Sequence, residues 1–489
     1  MASPRSILPS GALFAQRRLL LCLARDSQRH PQASLSSAGQ GILTRAACER
    51  SRGAQSGRDL DAWQERLADQ LLPLWRLNYD EQLKVKFEVT KKTLEQLQNR
   101  LLKLGAAVVE AQGLGALLQP FIPSPVINGY RNKSVFSINR GPDGHPRTVG
   151  CFLRSPGGKK LFCVPAGHLR NLPAKHHRVA QCYEAFLLQP PLDPSLDTRE
   201  LGPWRRLRVR TNSRGQAMAI ITFHARGLSE EAVCVQKERA KEFFTSGQGS
   251  ECDLTSLYLK ERVAPGPGLP GFHRYQLLAG EPHIFEDVLG LKLRISPGAF
   301  FPLNTGATEA LLGVVAELGM VDQSTTILDL SHGTGAMGLC LAQWAAQVLS
   351  VRMLGQAVED ARWSAASNEI TNWEGQRQDV EKVMARLKKV QGSSGALVAL
   401  LDPAGAALPH RVIRAIRGCP AIQKLVFVSG RPHGQDMESF LQLCCPVPPG
   451  QEVPPGQDLP GQPFVLSQAV PVDTLPHTLS SQLVLAFTR

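Results

Sequence analysis

The C-terminal part of the chain, residues 291–489, predicts an α/β fold: a doubly wound sheet with an antiparallel C-terminal pair. Three observations carry this. Ile327-Leu-Asp-Leu330 reads as a short buried strand, is followed by glycines at 333, 335 and 338, and runs into an apolar helical stretch. Six strand-like runs (325–330, 348–352, 397–401, 424–429, 463–470 and 482–487) are spaced by helical patterns. The last two follow each other without a helical run between them, as an antiparallel pair would. Strand, glycine loop, helix is how an α/β domain builds a nucleotide site, because glycine lets the backbone approach a ligand closely.

Two readings fit the loop. Gly333-Thr-Gly-Ala-Met-Gly338 satisfies the G-x-G-x-x-G pattern of dinucleotide enzymes. Asp329, four residues ahead of Gly333, also makes a D-x-x-x-G-x-G loop of the S-adenosylmethionine (SAM) type, with Asp329, Gly333 and Gly335 as the cofactor-binding residues. The SAM reading is favoured by the aspartate, and a tight turn with no ligand stands beside both. Either cofactor would ordinarily meet an acid at the end of the second strand, about 20 residues on. Here that strand is followed by Arg352. Asp402, in Leu401-Asp-Pro403, follows a strand end and is a further cofactor-binding candidate.

Taken in order, residues 1–58 read as a mitochondrial targeting segment. They hold nine arginines, no lysine and only two acids. Removing them from a net charge of +13 leaves 46 basic against 40 acidic residues, so most of the excess charge belongs to this leader. Residues 59–122 form a helical N-terminal region, with Leu83, Phe87, Leu94, Leu97 and Leu101 at helical spacing. Lys84, Lys86, Lys91 and Lys92 read as its solvated face. Residues 123–290 form a β-rich central domain of short alternating strands between Gly, Pro and Asn turns. Inside it, Gly129-Tyr-Arg-Asn-Lys133 sets an aromatic among basic and amide groups, which suits RNA binding through Tyr130, Arg131, Asn132 and Lys133 or, as readily, a turn at a strand edge. Arg205, Arg206, Arg208 and Arg210 read as one wet face. Residues 291–489 are the α/β domain.

Composition narrows the class. No apolar run reaches the roughly 18–20 residues of a membrane span, and no membrane partner is expected. The eleven cysteines include no C-x-x-C pair, so no metal site is expected, and their scatter suits a reducing compartment.

With these residues in view, the chain resembles the RNA (uracil-5-)-methyltransferase family over about residues 70–489. The resemblance rests on Trp75-Arg-Leu-Asn-Tyr-Asp-Glu-Gln-Leu-Lys-Val-Lys-Phe87, Gly129-Tyr-Arg-Asn-Lys-Ser134, Asn139-Arg-Gly-Pro-Asp-Gly144, Arg294-Ile-Ser-Pro-Gly-Ala-Phe-Phe301, Ala357-Val-Glu-Asp-Ala361, Val412-Ile-Arg-Ala-Ile416, Val426-Phe-Val-Ser429 and Pro476-His-Thr478. It implies a Rossmann-like SAM-dependent methyltransferase domain with an RNA-contacting N-terminal region. It further implies SAM as cofactor, tRNA as partner with mitochondrial rRNA as a second candidate, and a mitochondrial matrix protein forming 5-methyluridine. In the family's chemistry a cysteine thiolate adds to carbon 6 of uracil, carbon 5 takes the methyl group, and a carboxylate removes the carbon 5 proton. The uridine must first be extruded from its loop.

This sequence departs from the family at the site itself. The nucleophile position, after Val428-Ser429, is Gly430. The base position after Pro476-His-Thr478 is Gln482. The family's SAM-contacting glutamine, after the Phe-Phe pair, aligns with Pro302, and its ribose-binding glutamate with Arg352. Glycine offers no nucleophile and an amide is no base near neutral pH. Two functions therefore follow from the sequence: the family's methyl transfer, or a catalytically inactive RNA-binding pseudoenzyme.

Overall fold

The structure is a computed structural model. It describes residues 56–106, 113–189, 203–225, 227–263, 272–331, 335–351, 355–375, 383, 396–403, 407–446 and 459–489. The expected leader lies outside these up to residue 55. The chain divides into two units, one of residues 24–76 and 127–284 and one of residues 1–23, 77–126 and 285–489.

In chain order the elements begin with α1 (Ser56–Leu71), α2 (Tyr79–Lys103), β1 (Lys133–Asn139), β2 (Thr148–Arg154) and β3 (Leu161–Val164). Next come α3 (Ala174–Leu188), β4 (Trp204–Thr211), β5 (Ala217–Phe223), α4 (Glu230–Thr245), β6 (Ser256–Val263) and β7 (Phe272–Gly280). The hairpin β8 (Ile284–Val288) and β9 (Leu291–Ile295) leads to α5 (Thr305–Gly319), β10 (Thr326–Asp329), α6 (Ala336–Leu341), β11 (Gln347–Ser350), α7 (Gly355–Ser367) and β12 (Trp373–Gly375). The chain ends with β13 (Leu397–Leu401), α8 (His410–Arg417), β14 (Ile422–Ser429), α9 (Gln435–Cys444), β15 (Val465–Val472) and β16 (Gln482–Thr488).

The unit of residues 24–76 and 127–284 is a seven-stranded sheet in the order β3-β2-β1-β4-β5-β6-β7. All its neighbours are antiparallel except β5 and β6, which α4 joins as a crossover. Period-two alternation aims Phe136, Ile138, Leu207, Val209, Ile221 and Phe223 at one face, where Val179, Tyr183 and Phe186 of α3 and Phe243 of α4 cover them. Phe186 is the hub, edge-on to Trp204 at 5.0 Å and tilted on Phe243 at 5.3 Å. Leu67 of α1 joins the same core.

The other unit carries the predicted α/β sheet, in the order β12-β11-β10-β13-β14-β16-β15. Its first five strands run parallel, and β16 and β15 are antiparallel. The apolar runs of β10, β13 and β14 are buried on both faces, as parallel strands covered by helices must be. Helix α2 starts in a capping box, Asn78 with Glu81, and lays Leu94, Leu97 and Leu101 into the core formed by Leu401, Phe427 and Leu485. Each such leucine stabilises the unit by about 1.5–3 kcal/mol. The same buried stripe continues toward the helix start as Gln82, Lys86, Thr90 and Thr93. Lys86 is therefore not part of a solvated face: it is 1% exposed. The C-terminal residue, Arg489, is held by the carbonyls of Arg417, Cys419 and Ile422 and lies over the Phe464 ring.

Candidate functional site

The cleft begins where β10 ends. Asp329 is 2% exposed, and both of its carboxylate oxygens are taken inside the protein. Oδ1 accepts from the Ser331 backbone N–H at 3.0 Å and its hydroxyl at 2.5 Å. Oδ2 accepts from the Ser350 hydroxyl at 2.7 Å, which itself accepts from the Trp373 indole N–H at 3.0 Å. Burial pushes the Asp329 carboxyl above the usual range, against the pull of Ser331 and Ser350. Asp329 thus brackets the glycine loop to β11. Gly338 passes so close to this bracket that a Cβ there would stand 2.5 Å from Asp329 Oδ2 and 2.6 Å from Ser350 Oγ.

Gly335 adopts φ +72°, the left-handed conformation that favours glycine, and caps α6. It faces a cleft walled by Val288, Phe301, Pro302, Ser331 and Asp402. Pro302 and Asp402 therefore come together across the cleft, while Gly333 and Arg352 lie outside the described residues. The cleft's cavity volume is about 40 Å³, against roughly 300–1,000 Å³ for sites that enclose a small molecule. Asp360 of α7 accepts from Arg294 Nε at 2.9 Å and from the Ser296 hydroxyl at 2.7 Å.

Gly430 and Gln482, which the family resemblance marks as nucleophile and base positions, sit side by side at the ends of β14 and β16, where Ser429 pairs with Leu483. A Cβ on Gly430 would lie 3.8 Å from Gln482 Nε2 and 4.0 Å from its Oε1, with no nearer neighbour. Gln482 Oε1 is buried with no hydrogen-bond partner. The Ser429 hydroxyl donates to Asp436 at 2.5 Å, and burial raises the Asp436 carboxyl.

Sequence reasoning missed the segment that leads into Gln482. Residues 473–480, between β15 and β16, form a strap docked on the polar half of the α2 stripe. Lys86 Nζ donates to Asp473 Oδ1 at 2.6 Å and to the Leu475 and Ser480 carbonyls, both at 3.1 Å. The Tyr79 hydroxyl donates to Asp473 Oδ2 at 2.9 Å and accepts from the Ser124 N–H at 2.7 Å. Gln82 meets His477 twice: its Oε1 accepts the backbone N–H at 2.7 Å and its Nε2 meets ring Nδ1 at 3.1 Å. Burial lowers the Lys86 pKa, and Asp473 opposes it. A signal was present: Tyr79, Gln82 and Lys86 stand at i, i+3 and i+7, continuous with the leucine stripe.

In the other unit, the expected RNA-contacting stretch is a tied turn. Gly129 (φ +61°) and Arg131 donate their N–H groups to the Arg170 and Asn171 carbonyls. This draws Tyr130 into the interior at 7% exposure, so the ring is not the open stacking surface its residue type suggested. Asn132 accepts through its carbonyl from Thr211 at 3.0 Å. Lys133 pairs across the sheet with Arg210, and Arg131 Nε donates to the Lys133 carbonyl at 3.2 Å. Burial and the nearby Arg210, Arg208 and Arg131 press the Lys133 ammonium down to about 8. Arg210 is itself 3% exposed, so the arginines of β4 do not form one wet face. Beneath them His176 bridges the Ser134 hydroxyl at 2.8 Å and the Thr211 hydroxyl at 2.9 Å.

Among the described residues no His, Cys, Asp and Glu side chains gather as a metal site, and no helix is long and apolar enough to cross a membrane. No family model matches the chain. It is 47% identical over 507 residues to tRNA (uracil-5-)-methyltransferase homolog B of Mus musculus, covering 100% of both chains. It is 48% identical over 503 residues to the same protein of Homo sapiens, covering 100% of this chain and 98% of that one. The chain belongs to the tRNA (uracil-5-)-methyltransferase family. Its fold is also similar to the crystal structure of the Pyrococcus abyssi tRNA (uracil-54, C5)-methyltransferase in complex with S-adenosyl-L-homocysteine. There the TM-score is 0.53 and the identity 19%, with 85% of each chain covered. In this chain the glycine-containing turn follows β10, and Gly430 follows the carboxyl end of β14. Both are ordinary ligand positions in an open α/β sheet.

Proposed function

We propose that this chain is a mitochondrial, tRNA-binding member of its family that does not run covalent methyl transfer at a useful rate. One observation carries the reading: Gly430 and Gln482 stand as neighbours where the family resemblance requires a thiolate and a carboxylate. Glycine cannot add to carbon 6, and the Gln482 amide cannot take the carbon 5 proton. Loss of a nucleophile costs on the order of 10⁶ in kcat, leaving only what binding contributes. The cysteines nearest in sequence do not follow the β14 end: Cys419 precedes that strand, and Cys444 and Cys445 lie at the far end of α9. Cys444 is buried in α9, and burial raises its thiol pKa.

The SAM site is degraded in the same sense. Gly335, the Asp329 bracket and Asp402 suit the cofactor. Pro302 offers no amide where the resemblance expects one, and Arg352 replaces an acid. These residues do not fit a full-affinity SAM site, so weakened binding is expected. The RNA side is supported by the basic residues Arg131, Lys133 and Arg208, which lie partly exposed on and beside β1 and β4. The arginine-rich leader supports a mitochondrial location. The names of the relatives support tRNA as the partner, and mitochondrial rRNA stays a second candidate.

The test is methyl transfer. The chain is mixed with labelled SAM and an unmodified mitochondrial tRNA transcript, beside a Gly430→Cys, Gln482→Glu variant, and nucleosides are read by mass spectrometry. The unaltered chain is expected to bind the tRNA and incorporate nothing. Incorporation of 5-methyluridine by the unaltered chain would refute the proposal and establish the second reading, an active enzyme. The fully satisfied Lys86–Asp473 anchor favours that second reading, because it keeps the geometry of the site intact.

A further inference from the structure

The strap of residues 473–480 is held more firmly than a surface connection needs. Its two ends, Asp473 and Ser480, converge on one ammonium, with Lys86 Nζ 2.6 Å from the Asp473 carboxylate and 3.1 Å from the Ser480 carbonyl. Both side chains of the ion pair are wholly buried. Its midpoint has an uncommon backbone: His477 is 2% exposed and takes φ +68°, a left-handed conformation that few non-glycine residues adopt, histidine more readily than most. Two hydrogen bonds with Gln82 hold it there. Such conformations persist only where surrounding contacts over-determine them. The strap leads directly into Gln482, the first residue of β16, whose amide faces the Cβ direction of Gly430 at 3.8 Å.

We propose that Lys86 is a positioning residue: by gripping both ends of the strap it sets the side chain of residue 482 beside residue 430. This rests on the reading of residues 430 and 482 as the family's reactive positions, and it adds that a helix far away in sequence fixes their separation. A buried ion pair is weak evidence for stability, since an apolar pair often does as well. Here the three acceptors on Lys86 come from three points of one strap. An apolar pair would fill the volume without reproducing that hold.

The consequence can be read without any methyl transfer. In Gly430→Cys the introduced thiol faces a neutral amide. In Gly430→Cys, Gln482→Glu it faces a carboxylate at the same place, which disfavours the thiolate. The pH dependence of iodoacetamide alkylation, followed by mass spectrometry of the peptide containing position 430, is expected to move up by about one pH unit between the two. Adding Lys86→Met with Asp473→Leu, which leaves no buried charge unpaired, should collapse that difference, and Lys86→Arg should restore most of it. Gln82→Leu, which frees His477 while keeping the ion pair, should shrink it partway and covers the case in which the apolar pair fails to fold. An unchanged difference in the apolar variant, with an unchanged melting temperature, would overturn the proposal. So would the absence of any difference with Lys86 in place. Methyl transfer by the unaltered chain would refute the proposed function and leave this comparison intact.

Discussion

Acid should loosen the β-rich unit through one side chain. His176 is fully buried, and its two ring nitrogens meet the Ser134 and Thr211 hydroxyls, which suits a neutral imidazole with one donor and one acceptor nitrogen. Burial, and then the Arg131 charge, hold its pKa down to about 3, from an ordinary 6.5. The folded-state value is lowered, so the unfolded chain takes the proton first. The stabilising contribution is fully present above pH 6.5 and is lost as pH falls toward 3. Between pH 7 and 5 the loss is about 2 kcal/mol, set almost entirely by the unfolded-state value. The assay is amide hydrogen exchange of β1 and β4 in the full chain, with urea unfolding at both pH values, for wild type and His176→Gln. Wild type should lose about 2 kcal/mol more than the variant over this interval. Equal losses, within about 0.5 kcal/mol, would mean that His176 is protonated or hydrated in the fold, and would refute the reasoning.

Four further outcomes are expected. Lys86→Met alone, which strands the Asp473 carboxylate, should cost about 3–5 kcal/mol by urea unfolding, whereas pairing it with Asp473→Leu should recover most of that. Gly338→Ala, whose methyl would stand 2.5 Å from Asp329 Oδ2, should destabilise the α/β unit by about 1–3 kcal/mol in thermal unfolding. Lys133→Ala should weaken tRNA binding and reduce the salt slope by about 0.7–0.9, measured by filter binding at several salt concentrations. Because the Lys133 ammonium is held near 8, raising the pH from 7 to 9 should weaken tRNA binding in wild type more than in Lys133→Arg.

The α/β sheet was legible because its signals are local. Buried runs such as Ile422–Ser429, helical spacing between them and glycines after Asp329 need only neighbouring residues to be read. Gly430 and Gln482 were singled out only through the family resemblance, since nothing in their spacing says that β14 and β16 are neighbours. The rest was hidden by residue type. A lysine such as Lys86 reads as surface until its partner is known, and Asp473 lies 387 residues away. Tyr130 reads as a stacking ring until the bonds of Gly129 and Arg131 to the 170–171 backbone are seen to draw it inward. Asp329 reads from sequence as a ligand contact; beside its local bonds to Ser331, the bond to Ser350 that ties it to β11 depends on a partner 21 residues away.

The order of the chain imposes a timetable on its folding. The unit of residues 24–76 and 127–284 is complete in sequence before β9 is reached. The other unit opens with α2 and closes with β16, a strand that stands between β14 and β15 in the finished sheet. A chain entering a compartment amino end first would carry α2 with Lys86 unpaired until residues 473–480 had arrived. That interval is when a holding chaperone would be needed. A chain cut short before Asp473 would leave Lys86 without any of its three acceptors.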